Sequence, residues 1–366
     1  MNIDIAATTV SLLTLFGIYA IVALSLNLQY GLGGIPNFGI ALFVSIGAYT
    51  AGVTYTRLMP LLAGKDALNP CGATNMAQAL ALRTEILKTM PAAALGNFAL
   101  TLVIAAVLGG LIGLLASFPA LRLKEEWFLG LVLLVAAETA RIFVRGFEPI
   151  ICAHNGLSGI APPLGWLPTA QVRQYAFLAL ILVILAVVYI YAERLARSPY
   201  GRVLKALREN NAVASGLGKP MARVRGQVMI IGSALAAIAG VLFVMNVGFA
   251  SANDYAVPLT LDIWVMVVLG GLGNMRGALL GALIVTVLDR FTSIAAIQLN
   301  MLGLDLEFNY VRYILFGVIL LLMLRYRPQG LLPEPIRTTK AGSAMAAIQA
   351  RQQGNGQDVA GSEIGT

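Results

Sequence analysis

The stretch NFALTLVIAAVLGGLIGLLASFP occupies residues 97–119 and contains no charged side chain. A helix needs about 20 mostly apolar residues to cross a hydrocarbon core roughly 30 Å thick, so this stretch is long enough to span a bilayer. Comparable apolar runs recur along the whole chain. They lie at about 9–30, 36–56, 97–119, 127–144, 175–192, 226–249, 259–272, 276–296 and 310–325. The pattern predicts an all-α integral membrane protein, a polytopic bundle of about 8–10 transmembrane helices.

The composition also favours a lipid environment. Of the 366 residues, 58% are hydrophobic and 11% are charged, whereas a soluble domain carries roughly 25% charged residues. A water-soluble fold could not bury this apolar excess, so we expect membrane lipid around the protein. The net charge of +8 comes from basic residues in short loops rather than on one continuous stripe. We therefore expect no nucleic-acid partner and interpret the charges as topology signals.

Two of the apolar segments are weak as full spans. The segment at 36–56 is entered through the sequence IPNFG at 35–39, and the segment at 259–272 is short and ends in LGGLG at 269–273. Glycine and proline are tolerated at membrane depth where neighbouring helices or a cavity satisfy the freed backbone groups. Either segment can be broken or only partly inserted, and because such segments tend to lie inside the protein, both are candidates for the solute path.

The orientation follows from the segment 193–225, which is the most basic part of the chain. It carries Arg194, Arg197, Arg202, Lys205, Arg208, Lys219, Arg223 and Arg225 against Glu193 and Glu209. Loops rich in lysine and arginine stay in the cytoplasm. Counting spans from there places the N-terminus outside and the C-terminus in the cytoplasm. The long segment 57–96 becomes external although it holds basic residues, because long loops translocate largely regardless of charge.

The chain divides into one membrane domain and a tail. Residues 1–333 form the predicted single transmembrane domain, with its cytoplasmic loop at about 193–225. Residues 334–366 are rich in Gly, Gln, Ser and Ala, with too little apolar content to order themselves, so we expect a disordered cytoplasmic tail. The first apolar run lacks a basic leader and is long enough to span, so we expect it to be retained rather than cleaved.

The two cysteines, Cys71 and Cys152, fall in the two longest external loops of this topology. If the outer face is oxidising, a disulfide between them is possible. The alternative is two unpaired thiols in unrelated loops. The sequence alone does not give the Cα separation that decides between them.

The cytoplasmic loop predicts a short amphipathic helix followed by a break. Pro199 and Gly201 begin it, the apolar residues Val203, Leu204 and Leu207 recur at helical spacing, and two glycines at 216 and 218 end it. Such a helix can place its apolar face in a groove of a partner protein, with its basic face at the rim. The alternative is a helix that lies on anionic lipid.

The same loop resembles that of permease subunits of ATP-binding-cassette importers of the branched-chain amino acid type. The matching residues are Gly201, Arg202, Leu204, Ala206, Arg208, Glu209, Asn210, Ala214, Leu217 and Gly218. Further similar motifs follow in the family's order: IGAYTA at 46–51, LRLK at 121–124, NGL at 155–157 with GI at 159–160, VVLGGLG at 267–273 and RPQGLL at 327–332. The resemblance covers about 10–333 and is nearest to the second-permease, LivM-like group.

The resemblance implies a fold of the importer permease type in a bacterial or archaeal plasma membrane. It also implies four kinds of neighbour: a second homologous permease subunit, two cytoplasmic ATPase subunits, an external solute-binding protein and lipid. The loop residues Gly201, Arg202, Leu204, Arg208, Glu209 and Gly218 are then expected to couple the permease to the ATPases. The chain has no phosphate-binding loop of the Walker type, so we expect it to bind no cofactor and to leave ATP to its partners.

Polar residues inside spans are the other candidates for function, because ionisable groups there are costly and usually face a bundle interior or an aqueous cavity. Possible solute-path residues are Asn27, Asn37, Glu138, Asn246 and Asp262. Glu138 can instead form a structural ion pair with Arg141, three residues on, and the amides can join helices to one another. His154, the only histidine, has no neighbouring ligands, so we expect neither a metal site nor a catalytic group.

Three classes of function fit a protein of this kind. The first is an importer permease for branched-chain or other neutral amino acids, with urea or short amides as alternative cargo. The second is a self-contained secondary transporter or channel, which predicts charged relays in several spans where few occur. The third, a membrane enzyme, needs a clustered catalytic set that a single histidine makes improbable. We therefore expect the first and no enzymatic activity.

Overall fold

The structure is a computed structural model that describes residues 5–72, 75–122, 126–210, 221–300 and 308–334. Its helices are α1 (Ile5–Leu26), α2 (Ile40–Val53), α3 (Met59–Leu62), α4 (Met76–Thr89), α5 (Pro91–Arg122), α6 (Glu126–Gly146), α7 (Glu148–Ile151), α8 (Ala170–Arg197), α9 (Pro199–Glu209), α10 (Met221–Val247), α11 (Val257–Gly270), α12 (Met275–Asn300) and α13 (Phe308–Tyr326). Two π turns follow α1 and α2, at Asn27–Leu32 and Thr54–Leu58. Two-residue strands β1 (Leu157–Ser158) and β2 (Phe249–Ala250) form one antiparallel pair.

Helices occupy all nine positions at which apolar spans were predicted. Within the described residues, six helices are long and apolar enough to cross a membrane. They lie at Ile5–Leu32, Pro91–Pro119, Trp127–Gly146, Ala170–Arg197, Ala222–Val247 and Met275–Ile294. The predicted all-α, polytopic membrane architecture is confirmed.

Both weak segments are helical, but only the second forms a short helix. The helix α11 has 14 residues, which at 1.5 Å per residue is about 21 Å and shorter than a hydrocarbon core. The regular α-helical part of α2 also has 14 residues. The helix α2 begins only at Ile40, after the loop that carries Pro36, and continues through a π turn into α3. The segment predicted to open at 36 is therefore interrupted only before Ile40, and from there the helix runs on through the π turn to Leu62.

The helix α10 lies at the centre of the bundle. It packs against α1, α2 and α5. Of the residues in its most apolar stretch, 72% are buried inside the protein, compared with 28% in the corresponding stretches of α6 and α8. Large apolar side chains on the outer helices are exposed, among them Val103, Leu115, Phe128, Val135 and Val183. Such an exposed apolar surface is suited to lipid, so the core lies around α10 and the outer helices face the membrane.

The central helices approach each other through glycine. Gly47 of α2 packs on the backbone of Ala237 in α10, and Gly240 of α10 packs on the backbone of Val44 in α2. A Cβ atom at either position would overlap a carbonyl oxygen of the other helix. Small residues allow this close backbone contact between membrane helices, so α2 and α10 form a tight central pair.

The bundle has two ends that can be named by their landmarks. The helix α10 begins beside α9, where Tyr200 donates a hydrogen bond to the carbonyl of Val224, and it ends next to β2. Its 27 residues span about 40 Å. We call these ends the α9 end and the disulfide end, because the strand β1 that pairs with β2 follows shortly after the disulfide-bonded Cys152.

Sequence reasoning treated 57–96 as a long loop, but the structure places the helices α3 and α4 there. The apolar side of α4 is buried at Ile86 and Leu87, and α4 packs on α5. This helix was missed because its mean hydropathy is far below that of the spans. The first compact unit of the chain extends to Pro333. Of the predicted tail at 334–366, the structure describes only residue 334.

Candidate functional site: the α9 helix and the groove along α2

The helix α9 starts where its sequence predicts. Ser198 is the N-cap, and its hydroxyl accepts a hydrogen bond from the backbone N–H of Gly201 at 3.2 Å while Pro199 occupies the first turn. The helix ends at Glu209, and Asn210 is extended. The glycines expected to end it, including the predicted coupling residue Gly218, lie outside the described residues.

The apolar face of α9 is buried inside this chain. Leu204 and Leu207 are 0% and 1% exposed, whereas Arg202 and Glu209 on the opposite face are exposed. The expectation that a partner's groove or a lipid surface takes the apolar face is therefore wrong, since that face already packs on the bundle. What α9 presents outward is its charged face.

The turn between α8 and α9 is too tight for a side chain. Gly201 is buried, and a Cβ atom there would overlap the carbonyl oxygens of Leu195 and Ala196. On the other side, the Tyr200 hydroxyl donates to the carbonyl of Val224 in α10 at 3.1 Å, and burial raises the pKa of Tyr200 to about 12, which keeps the donor protonated. Gly201 and Tyr200 thus fix α9 to its neighbours, and the buried Gly201 offers no surface to a partner.

Arg208 joins α9 to the end of α1. Its guanidinium donates a hydrogen bond to the backbone carbonyl of Gly31 in the first π turn. Gly34, whose φ of +67° favours glycine, packs directly on the Arg208 side chain. π turns within helices occur frequently at functional sites. A movement of α9 would be transmitted to α1 at this point.

Asn27, in the same π turn, binds the turn between α11 and α12. Its side-chain oxygen accepts from the N–H of Gly273 at 2.9 Å, and its side-chain nitrogen donates to the carbonyl of Asn274 at 3.0 Å. Asn27 is fully buried. The oxygen and the nitrogen of its side-chain amide are both hydrogen-bonded to backbone groups. Asn27 therefore joins helices and is not accessible to solute in this conformation.

A second buried network surrounds Asn37. Asn37 donates to Gln29 at 2.7 Å, Gln29 donates to Ser233 of α10 at 3.4 Å, and the indole N–H of Trp264 donates to the Asn37 carbonyl at 3.1 Å. Sequence reasoning missed Gln29, although it is an uncharged polar residue in an apolar run two positions after Asn27. Asn37 therefore links the loop before α2 to the first π turn and to α11, reaches α10 through Gln29, and is not open to solute.

The motif at 327–332 docks on the motif at 267–273. Leu331 and Leu332 donate their backbone N–H groups to the carbonyls of Leu269 and Gly270, each at 3.0 Å. Asn274 also donates to the Leu332 carbonyl at 3.3 Å. The two motifs, which the sequence presents as separate, therefore form one structure at the α9 end, next to Asn27.

Glu138 lies in an ion pair. Its carboxylate binds Arg141 at 2.7 Å, as the spacing predicted, and also accepts from the backbone N–H of Val257 at 3.2 Å. A carboxylate at this place stabilises the positive end of the α11 dipole. Asp262 is buried in α11, and Asn246 is exposed at the end of α10. The five predicted path residues are thus spread over the bundle and do not form one site.

A groove of about 550 Å³ follows α2, between α5 and α6. Ser45 and Tyr49 of α2 and Thr54 of the second π turn line it, and it reaches Arg57 of the same turn at the disulfide end. Its remaining lining is mostly aliphatic, including Ile104 of α5. The hydroxyls of Ser45 and Thr54 donate to backbone carbonyls, so the surface of the groove is apolar and suits an aliphatic side chain. Sequence reasoning did not assign these residues.

The cysteines are joined in the structure. Cys71 and Cys152 form a disulfide with their Cα atoms 5.0 Å apart, which is ordinary for such a bond. It ties the loop before α4 to the segment after α7. Among the described residues, no cluster of three His, Cys, Asp or Glu side chains is placed to hold a metal ion.

Comparison with known proteins identifies the family. The family described as "Branched-chain amino acid transport system / permease component" matches residues 8–324. The chain belongs to this permease family. It is a membrane transport component and not an enzyme, which confirms the predicted permease role.

Individual relatives agree with this assignment to the permease family. The chain is 36% identical over 341 residues to the probable branched-chain amino acid transport permease protein LivM of Methanocaldococcus jannaschii, with 92% of this chain and 96% of the relative covered. It is 29% identical to the high-affinity branched-chain amino acid transport system permease protein LivM of Escherichia coli K12, with 92% and 73% covered. It is 26% identical to the LivH permease protein of the same organism, with 88% and 93% covered. No solved structure matches the chain.

Proposed function

We propose that this permease forms part of the translocation path of an ATP-driven importer for branched-chain or other neutral amino acids. The proposed partners are a second homologous permease, two cytoplasmic ATPase subunits and an external solute-binding protein. ATP is used by the ATPases, and this chain binds no cofactor. The printed names of the relatives support the substrate class.

The proposed location is the plasma membrane of a bacterium or archaeon, with the α9 end in the cytoplasm. The N-terminus is then external and the C-terminus cytoplasmic. The basic segment around α9 supports this orientation. The disulfide at the opposite end supports it as well, because disulfides persist in oxidising surroundings.

The single observation that carries the proposal is the contact between Arg208 and Gly31. The exposed residues Arg202 and Glu209 provide a charged surface for the ATPases, while Arg208 on the same helix reaches the end of α1. When the ATPases close, α9 is displaced with them, and the displacement passes to the π turn. From there Asn27 carries it to the turn between α11 and α12. Small shifts of packed helices then switch the bundle between two states.

The test is uptake of radioactive leucine into proteoliposomes that contain the complete transporter, with ATP inside and the binding protein outside. We expect ATP-dependent accumulation with the wild-type permease. Replacing Arg202 and Glu209 together by alanine is expected to release the ATPases during purification, whereas Arg173→Ala and Glu85→Ala, at the disulfide end, should not. Accumulation of leucine without ATP would contradict the proposal and indicate a self-contained transporter.

The orientation is tested separately by labelling. Glu209→Cys is made in a chain whose Cys71 and Cys152 have been replaced by serine. A membrane-impermeant maleimide added to intact spheroplasts should not label this cysteine. It should label the cysteine after the membrane has been permeabilised. Labelling in intact spheroplasts would place α9 outside and refute the arrangement of partners.

A further inference from the structure

A second cavity lies at the disulfide end, beside the groove along α2. It has a volume of about 520 Å³ and is lined by residues of the second π turn, the loop before α4, and α7. Its lining contains one basic residue, Arg57, and one acidic residue, Glu148. The other lining residues are uncharged. The cavity therefore offers one positive and one negative group within a space large enough for a small solute.

The two charged residues do not neutralise each other. Among the ion pairs of the described residues, none closer than 4 Å involves Arg57 or Glu148. The Arg57 guanidinium donates one hydrogen bond, from Nη2 to the carbonyl of Pro149 at 3.0 Å. A guanidinium has five N–H donors, so this bond leaves donors for a further acceptor. Both residues are partly in water, which allows a ligand to reach them.

The cavity walls are held by covalent and polar links. The disulfide between Cys71 and Cys152 joins the loop to α7, and the Asn69 side chain accepts from the N–H of Cys71 at 3.1 Å. The bond from Arg57 to Pro149 joins the π turn to α7. These links fix the two charged residues on walls that come from distant parts of the chain. A preformed site of this kind lowers the entropic cost of binding.

The cavity continues into the apolar groove. Arg57 and Ile150 line both spaces, and the groove beyond them is lined by Val53, Leu58 and Leu61 among other aliphatic residues. A ligand that fits this combination has a carboxylate, an ammonium group close to it, and an aliphatic side chain. An α-amino acid with a branched aliphatic side chain has these three parts.

We propose that the cavity between Arg57 and Glu148 is a receiving site for the zwitterionic main-chain groups of an amino acid. Arg57 binds the carboxylate, Glu148 binds the ammonium group, and the aliphatic side chain enters the groove along α2. Charge-assisted hydrogen bonds of this type are the stronger ones in proteins. The inference rests on the proposed function, since it locates where the importer takes over its substrate.

The experiment measures binding of tritiated leucine to the complete transporter in nanodiscs, without the solute-binding protein. Arg57→Gln and Glu148→Gln are each expected to weaken leucine binding about tenfold or more. The matched controls are Arg145→Gln and Glu85→Gln, since both residues are exposed at the same end but bind His154 and Lys65 outside the cavity. Binding to the controls should stay within about twofold of wild type.

A purely structural role of Arg57 is separated by the choice of ligand. Leucinol lacks the carboxylate, so it is expected to bind the wild type weakly in competition with tritiated leucine. Its affinity for Arg57→Gln should be no lower than its affinity for the wild type. If Arg57→Gln lowered the affinities for leucine and for leucinol equally, Arg57 would only hold the cavity wall through Pro149, and the proposal would be overturned. Glu148→Gln leaves the Arg57 bond in place and tests the second charge independently.

Two further outcomes would overturn the proposal. One is unchanged leucine binding in both variants while leucine uptake by the wild type is normal. The other is that an anionic phospholipid co-purifies with the wild type but not with Arg57→Gln, while leucine binding is unchanged. The cavity would then be a lipid site. Failure of the proposed function looks different, because the wild-type transporter itself would then not accumulate leucine with ATP and the binding protein.

Discussion

Arg208 in α9 donates a hydrogen bond to the backbone carbonyl of Gly31, 177 residues earlier in the chain. Leu204 and Leu207 hold the same helix against the bundle, so α9 and the π turn at the end of α1 form one connected unit. Arg208 therefore connects the helix that carries the exposed charges of Arg202 and Glu209 to the π turn at the end of α1. This arrangement leads to the first of four predictions.

Arg208→Ala is expected to uncouple ATP use from transport, because α9 can still meet the ATPases through Arg202 while its contact with Gly31 is gone. Leucine uptake by the reconstituted transporter should fall at least about tenfold, whereas ATP hydrolysis by the same complex should persist. The control is Arg194→Ala, an exposed basic residue at the end of α8. Equal loss of hydrolysis and uptake would show that Arg208 acts by holding the ATPases.

Asn27→Leu is expected to destabilise the permease, since it leaves the N–H of Gly273 and the carbonyl of Asn274 unpaired in a buried place. The cost is about 2 kcal/mol or more. Thermal unfolding in detergent, followed by size-exclusion chromatography, should show a lower midpoint. Asn246→Leu is the matched control, because Asn246 is exposed and should leave the midpoint near that of wild type.

Gly240→Val is expected to separate α2 from α10, because the new side chain would overlap the carbonyl of Val44. Overpacking of this kind costs about 1–3 kcal/mol or more, and here the obstacle is backbone that cannot rotate away. The yield of monodisperse protein should fall sharply. Gly96→Val in α5 has open space around it, and a similar loss there would refute the explanation.

Breaking the disulfide is expected to loosen the cavity that holds Arg57 and Glu148. Cys71 and Cys152 are 81 residues apart in sequence, and closing a loop of this size contributes roughly 4 kcal/mol in the chain-entropy account. Cys152→Ser should therefore unfold at a lower temperature than wild type. Wild-type protein should react with maleimide only after reduction, and two reactive thiols before reduction would contradict the bond.

Much of the fold can be predicted from the sequence because lipid imposes a simple rule on it. A spanning segment must be long and apolar, so the positions of the spans follow from hydropathy alone. The absence of helix before α2 can also be predicted, since Pro36 and Gly39 disfavour a helix there. The helix α4 cannot be predicted from hydropathy in the same way. It lies outside the predicted spans, and its burial depends on contact with α5.

The site is less predictable, for reasons that specific residues show. Helical spacing correctly groups Leu204 with Leu207, but it does not say whether a partner or the same chain covers them. Asn27 and Asn37 stand out as amides in apolar runs, yet the groups that occupy them, at Gly273 and Trp264, come from more than 200 positions later. Arg57 and Glu148 belong to segments brought together by the disulfide, and no local pattern relates them.

The docking of Leu331 and Leu332 on the α11 to α12 turn has a consequence for biosynthesis. The carbonyls of Leu269 and Gly270 emerge from the ribosome long before the residues that bind them. During translation those acceptors stay unoccupied until α13 and the residues after it have been made, whereas Gly273 and Asn274, which bind Asn27, are already present. Chains that stop before residue 331 would lack both hydrogen bonds and leave the carbonyls of Leu269 and Gly270 without these donors.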